Sequence, residues 1–110
     1  AAAKVNATKT IHAQTVKYMA AESQKCSLGE SSYAGTQTCP VTAAKIVTGT
    51  IAQLTDKNPH DTTAESVREG TTYVLGYVQI KASGTNVIVK TCTKTGCATA
   101  DQITSTVATQ

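Results

Sequence analysis

The first 25 residues constrain this chain most. From Ala1 to about Lys25 the sequence contains neither Gly nor Pro and carries Ala at seven positions, among them Ala1, Ala2, Ala3, Ala13, Ala20 and Ala21. That composition favours a helix over strand or turn. No Ser, Thr, Asp or Asn cap precedes the first turn, which predicts a helix that starts upstream of Ala1. Apolar residues larger than Ala are few. Val5, His12, Val16 and Met19 fall on one stripe, and Ile11 and Tyr18 form a second ridge beside it. The expectation is a helix with two modest contact faces rather than one strongly apolar face.

A chain of 110 residues fits one domain, with a core too small to leave much margin from apolar burial alone. Four Tyr and no Phe or Trp leave the core to Val, Ile, Leu and Ala, which bury less area per residue than aromatic rings. Thr is heavily over-represented, favouring strands and polar surface. Net charge is +3, with the Lys residues dispersed, a pattern that generic solubility explains better than a dedicated nucleic-acid patch.

The four Cys predict two disulfides and an oxidising compartment. Twelve residues separate Cys26 from Cys39 and four separate Cys92 from Cys97; neither pair has a His nearby, against a zinc site. Four Cys allow three pairings. The sequential one, Cys26–Cys39 and Cys92–Cys97, closes the shortest loops and is the one expected. No signal peptide or transmembrane stretch stands in the sequence, so an exported protein would have its export segment outside these residues.

Along the chain, residues 26–39 (CSLGESSYAGTQTC) predict a Ser/Gly/Thr-rich loop closed at its base by Cys26 and Cys39. In PVTAAKIVTGTIAQLT, Pro40 suits a first helical turn, and Val41, Ala44, Ile46, Val47, Ile51 and Leu54 repeat as on a short second helix. DKNPHDTTAESVREG predicts a polar connection with one helical turn around Thr63 to Arg68. Beyond Gly70 the period becomes two. TTYVLGYVQIK predicts a strand with Thr72, Val74, Gly76, Val78 and Ile80 on one face, ASGT a turn, and NVIVKTCT the second strand of a hairpin. KTG reverses the chain between Cys92 and Cys97, and Ala98 to Val107 returns as a third strand. The predicted fold is therefore α+β: a single domain over 1–110, with a long N-terminal helix (1–25), a loop and short helix (26–70), and an antiparallel sheet of three to four strands with the C-terminal disulfide (71–110). The long helix must cover one sheet face, since such a sheet alone would leave Val and Ile wet.

With AAAKVNATKTIHAQTVKYMAAE, the hairpin sheet after Gly70 and the late pair Cys92 and Cys97 in place, the chain resembles the soluble domain of a bacterial type IV pilin or a related pseudopilin, lacking the apolar half of the long helix. The late pair resembles the disulfide that brackets the C-terminal region in many pilins. The resemblance implies a subunit held in the inner membrane by a segment missing from this sequence. A prepilin peptidase would cleave it and the pilus assembly machinery would polymerise it with other copies of itself into an extracellular helical filament for adhesion, twitching motility or DNA uptake. It further implies that Val5, Ile11, Val16, Tyr18 and Met19 divide between the subunit's own sheet and its neighbours, with small residues such as Ala13 and Ala20 permitting close approach. The blander alternative buries both ridges within one domain. The Cys26–Cys39 loop and the Cys92–Cys97 turn are candidate interaction surfaces toward a host surface.

Catalytic and cofactor chemistry find little support. His60 and Asp61 are adjacent in a Pro-containing loop, a poor arrangement for a base and its orienter, and a polar turn capped by Asp61 explains them better. Ser66 lacks a nucleophile-elbow context. His12 reads as a satisfied or partly exposed helix residue. The acidic residues are dispersed, with no calcium loop, and TGT around Gly49 is no phosphate loop. Neither a metal nor a cofactor is expected, nor an enzyme. Lys81, Lys90 and Lys94, joined by Lys45 and Lys57, are candidate DNA or surface contacts; Lys-guarded strand edges are the simpler explanation. Three functions stay open: a filament subunit, a pseudopilin of type II secretion or DNA-binding minor pilin, and a small secreted disulfide-stapled binding domain.

Overall fold

The computed structural model describes residues 2–110. It is α+β, with an N-terminal helix, sheets of two to four strands and two disulfides. Helix α1 (Ala2–Glu22) runs over 21 residues; Ala1, the first residue of the expected helical stretch in this sequence, lies outside the described residues. Its buried positions are Thr8, Ile11, His12, Thr15, Met19 and Glu22, a single stripe at three- and four-residue spacing. Most of that stripe is polar by composition, and hydrogen bonding explains how it is buried. Thr8 and Thr15 return their hydroxyls to the carbonyls of Lys4 and Ile11, each at 2.8 Å, so neither buried hydroxyl needs a partner on the sheet.

After α1 the chain makes two very short strands, β1 (Ser32–Tyr33) and β2 (Gln37–Thr38), paired antiparallel inside the loop that the Cys26–Cys39 disulfide closes. Helix α2 (Ala43–Gln53) begins at Thr42, whose hydroxyl accepts the Lys45 amide, the usual solution for a first-turn N–H. Pro40 precedes the helix at a cis peptide bond rather than opening it. Gly49, the apparent weakness of α2, is a close-approach position: a Cβ there would stand 2.5 Å from both the Cβ and the carbonyl oxygen of Ala34.

Strands β3 (Lys57–Asn58) and β4 (Asp61–Glu65) form a second small antiparallel pair. The main sheet contains β5 (Val67–Glu69), β6 (Val78–Ser83), β7 (Asn86–Cys92) and β8 (Gln102–Ala108), in that spatial order. A 3₁₀ turn at Thr99–Asp101 leads into β8.

Three expectations are corrected here. No helical turn forms between Thr63 and Arg68, because that stretch lies in β4 and β5. The sheet is mixed, since β5 pairs with β6 in parallel. The strand expected from Thr71 starts only at Val78, because Gly76 at φ +76° breaks the extension and Tyr77 N–H turns back to the Val74 carbonyl at 3.0 Å. Residues 70–77 form instead a strap that leaves β5, crosses the sheet and re-enters as β6 in the same direction. The β6–β7 hairpin, its Gly84–Thr85 turn and the antiparallel return of β8 are as expected.

Both helices pack on one face of the sheet. The core joins Ile11 and Met19 of α1 and Ile46 and Val47 of α2 to Val67, Val78, Ile80, Val87, Val89 and Val107. Tyr33 and Ala34 complete it from the disulfide loop, each 1% exposed.

Candidate functional site

Pairing parity fixes the two faces of the sheet. Val78, Ile80, Val87, Val89 and Val107 point toward the helices, and Gln79, Lys81, Ile88, Lys90, Thr104 and Thr106 point away. The strap lies on this outer face and is tied to it strand by strand. Gln79 on β6 donates to the carbonyl and hydroxyl of Thr72 and accepts from Arg68 Nε at 3.0 Å. Lys90 on β7 donates to the Thr71 carbonyl at 3.1 Å, and the Tyr73 hydroxyl meets that of Thr104 on β8. Arg68 stacks 3.4 Å above the Tyr77 ring, a cation–π contact that holds the strap's second end. Gln79 is only 4% exposed, which explains a polar residue on a face that sequence alone would leave in water.

The lysines expected to reach a phosphate backbone or a surface take different places. Lys81 is paired with Glu69 at 3.1 Å, Lys90 serves the strap, and Lys94 stands exposed in the turn between Cys92 and Cys97. Lys45 donates to the Thr38 carbonyl at 3.1 Å. Lys81 and Lys90 do line one groove of about 220 Å³, with Gly70, Thr71, Ser83 and Ile88. Since one ammonium is already neutralised and the other hydrogen-bonded, this groove presents less free charge than the sequence implies.

The helix ridges also fall differently. Ile11 and Met19 are buried in the core of their own domain, and Val16 and Tyr18 are partly buried against it. Val5 is half-buried. Of Val5, Ile11, Val16, Tyr18 and Met19, expected to divide between the subunit's own sheet and its neighbours, Ile11 and Met19 thus lie in the core of their own domain. What α1 does present outward is Ala3, Asn6, Thr10, Ala13, Lys17 and Ala21, all exposed, a second stripe at three- and four-residue spacing. Ala20 is half-buried and packs inward.

The disulfide loop, a candidate interaction surface, is anchored at its centre. The Ala34 amide donates to buried Glu22 at 2.6 Å, while Lys25 pairs with the same carboxylate at 3.0 Å. The Tyr33 hydroxyl donates to the Pro40 carbonyl and accepts the Thr42 amide. The residues on either side of Tyr33 and Ala34 stay in solvent, including Leu28 at 74% exposure. The buried tyrosine carries no sequence signal beyond scarcity of aromatics.

Residues considered for catalysis are each engaged elsewhere. His60 donates from Nε2 to the Thr93 carbonyl, Asp61 accepts the amide and hydroxyl of Thr63, and buried Ser66 donates to the Gly76 carbonyl. Thr63 holds the Asp61 carboxyl below its ordinary value, at the start of β4 rather than in the polar turn expected there. Among the described residues no group of three or more His, Cys, Asp or Glu is placed to hold a metal ion.

His12 carries a buried imidazole. Its Nδ1 lies 2.7 Å from the Thr91 hydroxyl on β7 and its Nε2 lies 2.8 Å from the Ser105 hydroxyl on β8, so it clamps α1 across two strands. Burial lowers its pKa from 6.5. Below that ordinary value the unfolded ring takes up a proton that the folded ring resists. Stability contributed above pH 6.5 is therefore lost as pH falls from there through the lowered folded pKa. We expect the urea midpoint to fall over this interval in the native chain and to stay flat in His12→Gln; an identical slope in both would refute the assignment. Asp61 acts only below its ordinary 3.8 and does not intrude.

No family model, curated protein or solved structure matches the chain. Its function therefore rests on the residues and geometry above.

Proposed function

We propose that the chain is the globular part of a filament subunit of the type IV pilin kind, assembling with copies of itself through the outer face of α1. The observation that carries this reading is a 21-residue helix with one stripe committed to its own sheet and an opposite stripe of small and polar residues. Ala3, Ala13 and Ala21 on that stripe allow another helix to approach closely, and Lys17 gives it polarity. The disulfides support the same setting. Both are formed, as expected from the short loops, and no cysteine is free, which indicates an oxidising compartment. No helix among the described residues is long and apolar enough to cross a membrane. On this reading an upstream segment supplies the membrane anchor, and the strap, the disulfide turns and Lys94 face outward, available to a host surface or DNA.

Substituting Ala13→Trp in the full-length gene product tests it. Ala13 is exposed, so the change is expected to move stability by less than about 0.5 kcal/mol while abolishing filaments in the sheared cell-surface fraction seen by electron microscopy. Native filaments that lack this chain, or filaments that persist with Ala13→Trp, would overturn the proposal.

A further inference from the structure

The two edges of the main sheet are unlike. The β5 edge is three residues long and charged, with Arg68 and Glu69 on it and Lys81 beside it. At the other edge β8 runs for seven residues, Gln102–Ala108, with no charged residue, no Pro and a register against β7 free of bulges. Strand edges are normally guarded by at least one of those features.

Hydrogen bonds flanking the ladder show which backbone groups β8 leaves open. Thr93 N–H donates to Asp101 and Thr109 N–H donates to Thr85, so Ile103, Ser105 and Val107 are the residues bonded to β7. Thr104, Thr106 and Ala108 turn their amides and carbonyls to the free edge, and all three residues are exposed.

We infer that β8 is a self-pairing surface, taking as partner the β8 strand of a second copy in antiparallel register. Place the twofold axis through Ser105. Thr104 then faces Thr106 of the second copy in hydrogen-bonded pairs, Ile103 faces Val107, and Ser105 faces its own counterpart in a close, non-bonded pair. Thr–Thr and β-branched apolar pairs stabilise a ladder, and no like charges meet. The same operation on the β5 edge sets Arg68 and Glu69 within a far shorter ladder. Charge and length thus select β8 against β8, and twofold closure makes a dimer with one continuous sheet rather than a fibre. The surface is separate from the outer stripe of α1, so it stands independently of the filament reading.

Sedimentation of the oxidised chain from micromolar to millimolar concentration tests the dimer. Amide exchange at Thr104, Thr106 and Ala108, fast in the dilute chain, is expected to slow as dimer forms. All native cysteines are paired, so Ser105→Cys places a single free thiol on each copy next to the axis. The two Cα atoms would lie about 4.5 Å apart there, within disulfide range, and oxidation should give a covalent dimer. Thr106→Pro removes an outward amide without touching the β7 ladder; the axis counts that loss twice, and dimerisation should weaken at least about tenfold. A chain that stays monomeric at every concentration, with those amides still exchanging fast, overturns the inference. So does a dimer that Thr106→Pro leaves intact and Ser105→Cys fails to cross-link, since it would use another surface or another strand.

Discussion

Replacing Cys26 and Cys39 together by Ser is expected to lower the stability of the chain by about 3 kcal/mol. The bridge spans a sequence separation of 13, and opening it returns that loop's conformational freedom to the unfolded ensemble. At this chain length the loss corresponds to a drop in Tm of roughly 10–20 °C. Cys92–Cys97 spans a separation of only 5, so the same substitution there is expected to cost about 2 kcal/mol in the same model. The ordering is the sharper part of the prediction. It should be strengthened by what the larger loop carries, because Tyr33 and Ala34 are core residues delivered by that loop and reach the core only while its ends stay together. Near-ultraviolet circular dichroism would report this, with Tyr33 losing its fixed surroundings in the Cys26→Ser/Cys39→Ser variant before the sheet melts. Chemical denaturation of the three oxidised proteins decides the matter: a loss below about 1 kcal/mol for the larger loop, or a larger loss for the smaller one, would mean that the chain-entropy account fails here.

Local signals in the sequence identified the elements whose stability is local. α1 and α2 follow from composition and periodicity, the β6–β7 hairpin from alternation around Gly84, and both disulfides from short loops. What escaped depends on contacts between distant residues. Thr8 and Thr15 look like surface residues until their hydroxyls are seen bonded to the turn before them. Ile11 falls on a separate ridge from His12 and Met19 when only large apolar residues are counted, and joins them in one buried stripe once those threonines are included. The strap misled for a related reason. Thr72, Val74 and Gly76 alternate as a strand would, yet a strand in continuation of β6 would leave Gln79 on open surface, whereas the strap covers it. The β8 edge was legible as a strand but not as an edge, because neighbours in a sheet are set by topology. Of the candidate site, therefore, the positions of the disulfide turns were readable and the outward stripe of α1 was not.

The strap also sets the most severe single substitution we expect. Gly76→Ala should destabilise the chain by roughly 2–5 kcal/mol, by two effects that add. The residue sits at φ +76°, a left-handed conformation that costs a side chain about 1–2 kcal/mol. A Cβ there would also fall 1.8 Å from Oδ1 of Asn58, and Asn58 has nowhere to go. It is 0% exposed, donates to the Leu75 carbonyl at 3.0 Å and accepts the His60 amide at 2.8 Å. Displacing it strands a buried amide, at about 1–3 kcal/mol. Gly84→Ala separates the two effects, since Gly84 has φ +60° and nothing within 4 Å of the position a Cβ would take. That variant should show the conformational cost alone. Pairing Gly76→Ala with Asn58→Ala makes the steric part measurable: once the amide is gone, adding the methyl group should cost no more than it does at Gly84, leaving a double variant more stable than the sum of the single losses predicts. Strict additivity in urea denaturation, or equal losses for Gly76→Ala and Gly84→Ala, would show that Asn58 does not wedge the strap against the sheet.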